Sequence, residues 1–164
     1  MTLVVVAGVV YVLDRLTKLW AVDSLTPGQP RDLVGSVLRL NLINNPGAAF
    51  SLATSATWVL TLIAVGVVAA IIYTARRLRS RGWAWALGLL LGGASGNLTD
   101  RLVRPPGFGR GHVVDFLQLP HWPIFNIADS AIVSAAVLIV LLALLGIGVD
   151  GRSDAGGKHE ASDG

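Results

Sequence analysis

The sequence predicts an all-α membrane protein with four transmembrane helices and a small extracytoplasmic β-cradle. Of its 164 residues, 53% are hydrophobic and only 14% are charged, whereas soluble domains carry charge on about a quarter of their residues. Four segments are apolar and long enough to cross the hydrocarbon core of a bilayer, which takes about 20 helical residues. A short segment between the first two alternates apolar and polar residues, which is typical of a strand.

The four apolar segments differ in how many charged residues they contain. They run from Thr2 to Val22, from Thr57 to Thr74, from Trp83 to Thr99 and from Ile124 to Val149. The first has the position of a signal peptide, but it lacks a basic n-region and contains Asp14, Arg15 and Lys18. A cleaved signal is therefore disfavoured, and the segment is expected to be a span.

A basic loop after the second segment sets the expected orientation. Four arginines fall between positions 76 and 81, and short loops rich in arginine face the cytoplasm. With four spans, both termini are then cytoplasmic and the connections 23–56 and 100–123 lie outside. Residues 1–149 are expected to form one domain. Residues 150–164, which are mostly glycine, serine and charged residues, are expected to be a disordered cytoplasmic tail.

The first outer connection contains a strand-like pattern. Leu38, Leu40 and Leu42 alternate with more polar neighbours between Ser36 and Asn44. We expect a short strand here that pairs with residues 112–116 and belongs to a cradle, spanning about 23–51, that rests on lipid and closes over a substrate. The alternative is that these leucines belong to a surface loop packed on the helices.

Polar residues inside the spans are hypotheses about function, because an ionisable group there costs about 2.5–3.5 kcal/mol. Asp14 and Lys18 are four residues apart, on one face of the first helix, and can pair. Either they form a neutralised ion pair that fixes helix packing, or they take part directly in catalysis.

The end of the third segment combines small and polar residues. Gly92 and Gly96 have the spacing that lets helices approach closely in membranes. Asn97 and Arg101 follow on one helix face, one turn apart. They are candidates for a polar site, but Asn97 can equally bond a neighbouring helix while Arg101 extends to the interface.

Two aspartates flank the start of the fourth segment. Asp115 lies among apolar neighbours, and Asp129 lies three residues after Asn126. Taken singly, each is consistent with a helix cap or a helix-terminal charge. A turn through Pro120 and Pro123 would bring them together at the outer surface. Two close carboxylates share one proton, which equips them for general acid–base attack by water on an amide.

Other chemistries have weaker support. Ser51, Ser95 and Ser130 lack a well-placed histidine or a GxSxG motif, and a serine–Lys18 dyad has no supporting motif. The chain has no cysteine and only three histidines, so a metal site would need mostly carboxylate ligands. No metal or cofactor is expected.

The residue pattern leaves two other classes of function open. A small transporter or structural bundle would distribute ionisable residues through the depth of several spans, whereas here they gather towards the outer ends. A membrane phosphatase or lipid-modifying transferase would use Arg101 and the histidines on phosphate.

Four ordered motifs resemble the lipoprotein signal peptidase (signal peptidase II) family over about residues 10–145. They are Asn45–Ser51, Gly92–Arg101, Gly111–Phe116 and Phe125–Ser130, and the spacing of Asp14 and Lys18 is similar too. The resemblance implies an aspartic endopeptidase of the bacterial inner membrane. Such an enzyme removes the signal peptide of a prolipoprotein just before a diacylglyceryl-modified cysteine.

The resemblance also implies residue roles. Asp115 and Asp129 match the catalytic dyad, and Asp14 and Lys18 match supporting charges of the first span. The substrate-binding or supporting positions around the site are matched by Asn45, Gly47, Asn97, Arg101 and Asn126. The implied partners are a diacylated prolipoprotein and membrane lipids, without nucleic acid, for a protein expected to be a monomer. The nine-residue link 102–110 is longer than in many members, which leaves its role open.

Overall fold

The computed structural model describes residues 1–47 and 57–152. Its helices are α1 (Thr2–Ser24), α2 (Thr57–Ala75), α3 (Arg81–Val103) and α4 (Ile127–Leu144). Its strands are β1 (Arg31–Val34), β2 (Leu38–Asn45) and β3 (Val113–Gln118). The described chain is thus mostly helical with a small sheet, as predicted. The end of the expected cradle at 48–51 and the tail from residue 153 lie outside the described residues.

Helix α3 is the central helix and packs against α1, α2 and α4. Glycines on α3 make this possible. A Cβ atom on Gly92 would lie 2.7 Å from both the Ala7 carbonyl oxygen and Val10 Cβ on α1, and one on Gly93 would lie 2.9 Å from Ile132 Cγ1 on α4. Small residues therefore let three helix backbones approach closely, as they do in membrane bundles.

The helices bury polar side chains and expose apolar ones. On α1 the buried residues share one face of the helix and are Leu3, Val6, Ala7, Val10, Asp14, Lys18 and Ala21. The opposite face includes the exposed side chains of Val9 and Leu16, and α4 exposes Val133 and Val137 in the same way. Apolar surface on this scale fits a lipid environment rather than water.

Two helices are apolar and long enough to cross a membrane. They are α2, with 19 residues and a mean hydropathy of 2.3, and α4, with 18 residues and a mean hydropathy of 2.5. Helices α1 and α3 are longer, at 23 residues each, but carry charged residues on their buried faces. Length and composition alone therefore identify two spans in the part of the chain that the structure describes.

The sheet has the order β1-β2-β3 with antiparallel neighbours. The predicted strand and its pairing with the segment around Asp115 are confirmed, with Asn44 opposite Val114. Leu40 and Leu42 pack against a cluster that includes Val114 and Phe116. This face of β2 therefore packs on the protein, as the alternative interpretation expected for these leucines.

Strand β1 was not predicted. All four of its residues are exposed, so neither face leaves a hydrophobic pattern in the sequence. It is held by backbone pairing with β2, with Arg31 opposite Leu40, and by an ion pair of 2.8 Å between Asp32 and Arg39.

The bounds of the last helix differ from the prediction. Helix α4 begins at Ile127 rather than Ile124, because the backbone of Phe125 pairs with Leu117 through two hydrogen bonds of 2.9 Å. It ends at Leu144 rather than Val149. There the Ile147 N–H donates to the Leu142 carbonyl (3.0 Å) and Gly146 takes a φ of 65°, a C-terminal motif that favours glycine.

The second outer connection begins later in the chain than predicted. Helix α3 continues to Val103, so residues 100–103 are helical and the connection begins at Arg104. This extension places Asp100 and Arg101 on the last turn of a helix, where their side chains have fixed directions.

We predict that Gly92→Val destabilises the protein, because a side chain at this position collides with the α1 backbone. The expected loss is about 1–3 kcal/mol in the free energy of unfolding, the usual range for overpacking. Equilibrium unfolding in mixed micelles measures it. The matched control is Gly66→Val on α2, where a Cβ atom meets nothing within 4 Å. Equal losses for the two variants would contradict the prediction.

Candidate active site

Asp115 is fully buried in the middle of β3. Its Oδ2 accepts a hydrogen bond of 2.7 Å from Asn45 Nδ2, and its Oδ1 accepts one of 2.6 Å from Asn126 Nδ2. The contact with Asn45 follows from the sheet register. Asn45 pairs with Val113, and Val113 and Asp115 lie on the same face of their strand.

Asp129 occupies the first turn of α4. Its backbone N–H donates to Asn126 Oδ1 (2.9 Å), and its Oδ2 accepts from the Asn126 backbone N–H (3.1 Å). These reciprocal bonds form a capping box. Its other oxygen, Oδ1, accepts from Asn97 Nδ2 at 2.8 Å. Asp129 is therefore both a capping residue and part of a polar cluster.

Asn126 connects the two aspartates. Its side chain is fully buried and uses both ends of the amide, donating to Asp115 and accepting from Asp129. The pairing of Phe125 with Leu117 brings the start of α4 back beside β3. The turn predicted from the prolines therefore does bring Asp115 and Asp129 into one site.

The electrostatic environment of Asp115 favours its neutral form. Burial raises the pKa of its carboxyl to about 7, and the negative charge of Asp129 adds to this effect. Hydrogen bonds from Asn45 and Asn126 act in the opposite direction but do not cancel it. A carboxyl group with this pKa holds a proton about half of the time at neutral pH, so it can act as an acid there.

Arg101 and Gly47 complete the surroundings of the pair. Arg101 is only 9% exposed, and its charge interacts with Asp115 and Asp129. Within the described residues its Nη1 has no hydrogen-bond partner, which leaves a donor beside the pair. The Gly47 N–H donates to Asn45 Oδ1 at 2.8 Å, so the Asn45 amide presents Nδ2 to Asp115. Gly47 has a φ of 116°, a conformation that favours glycine.

Asp14 and Lys18 form the expected ion pair. Both side chains are fully buried, and Lys18 Nζ lies 2.9 Å from Asp14 Oδ2. Asp14 Oδ1 also accepts from the Ala128 N–H at 3.1 Å, and Lys18 donates to Asn97 Oδ1 at 2.8 Å. The pair therefore supports the start of α4 and contacts the polar cluster through Asn97.

The three asparagines serve the aspartates rather than lying free for a peptide backbone. Asn45 and Asn126 direct their amide donors at Asp115, and Asn97 directs its donor at Asp129. The family resemblance implies substrate-binding or supporting positions for these residues. Their hydrogen bonds are those of supporting residues that position the carboxylates.

Asp100 is a site residue that sequence reasoning missed. It is fully buried, and its carboxylate forms ion pairs with Arg15, Lys18 and Arg104 at distances between 2.5 and 2.9 Å. The only local signal is the four-residue spacing to Arg104 on one helix face. Arg15 and Lys18 are far away in the sequence, so no spacing pattern connects them with Asp100.

The structure gives no support to a serine nucleophile. The Ser130 hydroxyl donates to the Asn126 carbonyl at 3.0 Å, and Ser51 lies outside the described residues. In residues 1–47 and 57–152, no three histidine, aspartate or glutamate side chains come together as a metal site.

Comparison with known proteins decides the family. The family model described as "Signal peptidase (SPase) II" matches residues 6–145, most of the chain. The chain belongs to the signal peptidase II family. Signal peptidase II enzymes remove signal peptides from prolipoproteins, so this chain is a peptidase. Its match includes every candidate residue named above.

Curated relatives agree with this assignment. A lipoprotein signal peptidase of Rhodococcus jostii is 55% identical over 149 residues, covering 91% of this chain and 75% of the relative. Those of Mycolicibacterium smegmatis and Mycobacterium tuberculosis are each 53% identical. The alignments cover 99% and 93% of this chain, and 70% and 76% of the relatives.

Solved structures share the fold. Two of them, described as a bacterial membrane enzyme determined by the in meso method at 1.9 and 2.3 Å, align with a TM-score of 0.76 and 26% identity. The alignments cover 87% of this signal peptidase II chain, and 92% and 87% of the respective structures.

We predict that Asp129→Asn lowers the pKa of Asp115 below its value of about 7, because the substitution removes a negative charge that favours the proton on Asp115. In the wild type, the infrared band of a protonated carboxyl should persist at pH 6 and disappear as the pH rises through 7. Asp115→Asn identifies the band by removing it. A midpoint that is unchanged or higher in Asp129→Asn would contradict the coupling.

Proposed function

We propose that this signal peptidase II is an aspartic endopeptidase that cleaves prolipoproteins just before a diacylglyceryl-modified cysteine, using water activated by Asp115 and Asp129. The observation that carries the proposal is the shared partner Asn126, which holds both aspartates in one site. A pKa of about 7 for Asp115 supports a pair that carries one proton and one negative charge near neutral pH.

The raised pKa of Asp115 favours a division of roles between the two aspartates. Ionised Asp129 takes a proton from water as the water oxygen attacks the scissile carbonyl carbon. Protonated Asp115 donates a hydrogen bond to the carbonyl oxygen, which becomes negative in the transition state. When the carbon–nitrogen bond breaks, a proton from the pair passes to the leaving amine. The pair regains its starting charge, and the mechanism needs no cofactor.

The substrate must reach the pair in an extended form. A signal peptide in lipid is helical, so its amides are hydrogen-bonded internally and are protected from water. Arg101 Nη1 has no hydrogen-bond partner among residues 1–47 and 57–152, and the charge of Arg101 interacts with both aspartates. It is therefore suited to hold a carbonyl oxygen of the unwound segment. Strand β3, which carries Asp115, and its neighbour β2 form the proposed cradle for that segment.

We propose further that α1–α4 all span the bacterial inner membrane, with both termini in the cytoplasm and the site at the outer leaflet. Helices α1 and α3 have 23 residues each, about 34 Å at 1.5 Å per residue, which is enough for a hydrocarbon core of about 30 Å. Their charged residues Asp14, Lys18, Asp100 and Arg101 are buried, while α1 presents apolar side chains outwards.

The remaining assignments follow from this arrangement. Residues 1–149 form the peptidase domain, and residues 150–164 form a cytoplasmic tail. The partners are the diacylated prolipoprotein and membrane lipids, and a monomer carries all the residues of the proposed dyad.

We expect Asp115→Asn and Asp129→Asn each to abolish cleavage while the protein still inserts and folds, because each removes half of a pair that shares a proton. A gel-shift assay in lipid, with and without the diacylglyceryl group on the substrate, measures the loss. The matched control is Asp150→Asn, since Asp150 is 48% exposed and lies outside the proposed site, and it should retain full activity. Turnover near the wild-type level in either dyad variant would refute the assignment.

The proposed topology is tested by single cysteines, which the chain lacks naturally. Arg77→Cys in the arginine loop should resist a membrane-impermeant thiol reagent in intact cells, and Phe108→Cys, at a position that is 85% exposed, should react. The reason is that short arginine-rich loops stay in the cytoplasm. Labelling with the opposite pattern would invert the model, and lysed cells provide the control for reactivity.

A further inference from the structure

The carboxylate of Asp100 lies close to four donor groups, although it contacts neither member of the proposed dyad. Its Oδ1 accepts from Arg15 Nη1 (2.5 Å) and Arg104 Nε (2.6 Å). Its Oδ2 lies 2.9 Å from Lys18 Nζ and accepts a longer bond of 3.4 Å from the Val114 N–H. Both oxygens are therefore engaged, and the carboxylate is held from three elements.

Lys18 is fixed in turn by the carboxylates around it. Its ammonium lies 2.9 Å from both Asp14 Oδ2 and Asp100 Oδ2, and its third direction points at Asn97 Oδ1 at 2.8 Å. An ammonium has three donors and no acceptor. The two carboxylates accept two of the three N–H donors of Lys18. The remaining donor needs an acceptor, so Asn97 must turn its amide oxygen towards Lys18.

The orientation of the Asn97 amide follows from this constraint. Because Lys18 only donates, Asn97 turns Oδ1 towards it and therefore turns Nδ2 towards Asp129 Oδ1, at 2.8 Å. The flipped amide would place a donor against the ammonium and an acceptor against a carboxylate, which is unfavourable at both ends. The bond from Asn126 Nδ2 to Asn97 Oδ1 (3.2 Å) favours the same orientation.

We propose that Asp100 is a positioning residue for the peptidase reaction, acting through a relay from Asp100 to Lys18, Asn97 and Asp129 that fixes the direction of the Asp129 carboxylate. The inference rests on the proposed role of Asp129. In Asp100→Asn the ammonium keeps one carboxylate instead of two, and two arginines lose their charged partner. Lys18 then no longer holds Asn97 in a single orientation, and Asp129 presents its oxygens to water less accurately.

The test compares kcat, KM and thermal stability for purified, lipid-reconstituted variants. Asp100→Asn should lower kcat per folded enzyme by roughly tenfold or more, since small misplacements of catalytic groups cost up to about 10²-fold. KM should change little, because the relay does not contact substrate. Asp150→Asn is the control for removing a carboxylate elsewhere, since Asp150 is 48% exposed and lies outside the cradle and the bundle, and it should leave both constants unchanged.

A second variant keeps the proposal testable if Asp100→Asn does not fold. The Arg104 side chain is partly exposed and holds Asp100 from the edge of the site, so Arg104→Met should fold and lower kcat several-fold. Arg104→Lys, which keeps the charge, should restore most of the loss. Wild-type kcat in Arg104→Met, or no rescue by lysine, would overturn the relay.

A mutant cycle separates positioning from a general structural effect. In an Asn97→Ala background the relay is already broken, so Asp100→Asn should lower kcat further by no more than about twofold. If Asp100→Asn lowers kcat by the same factor in the Asn97→Ala background as in the wild type, the proposal is overturned. Asp115→Asn is measured in parallel. If it stays active, the proposed dyad fails, whereas an inactive Asp115→Asn beside a fully active Asp100→Asn refutes the relay alone.

Discussion

The Lys18 ammonium is completely buried between α1 and α3, and much of the structure follows from neutralising it there. Moving an unpaired charge out of water costs several kcal/mol, and no part of the Lys18 side chain reaches the surface. Asp14 supplies one countercharge from the same helix, and Asp100 supplies the other from α3. Because the second partner lies on α3, the two helices must approach closely, and α3 must be rotated about its axis so that Asp100 faces Lys18.

The glycines of α3 satisfy this requirement at the level of the backbone. Gly88 and Gly92 lie directly against α1, and a Cβ atom on Gly96 would collide with the Asp14 carboxylate. Close packing and charge pairing therefore demand the same helix rotation. The same rotation turns Asn97, on the next position of α3, towards both Lys18 and Asp129. The packing of the bundle and the geometry of the site are thus fixed together.

Local patterns in the sequence predict the aspartate pair but not its support. Asp115 and Asp129 stand out because each is a carboxylate in an apolar run, and the prolines between them indicate a turn. Asp100 does not stand out, because two of its cationic partners come from α1, far away in the sequence. The direction of an asparagine amide also depends on which donor faces it, and only the folded structure decides that.

The two aspartates belong to different kinds of secondary structure, and this difference gives the proposed mechanism its direction. Asp115 lies in a strand whose neighbours on both sides are buried, so desolvation acts on it strongly and its pKa rises to about 7. Asp129 lies at the N-terminus of α4, where its Oδ2 accepts a backbone N–H bond as part of the capping box. Two carboxylates in identical surroundings would have no preferred holder of the shared proton. Burial in the strand favours the proton on Asp115, so in the proposed mechanism Asp129 takes the proton from the attacking water while Asp115 polarises the carbonyl group.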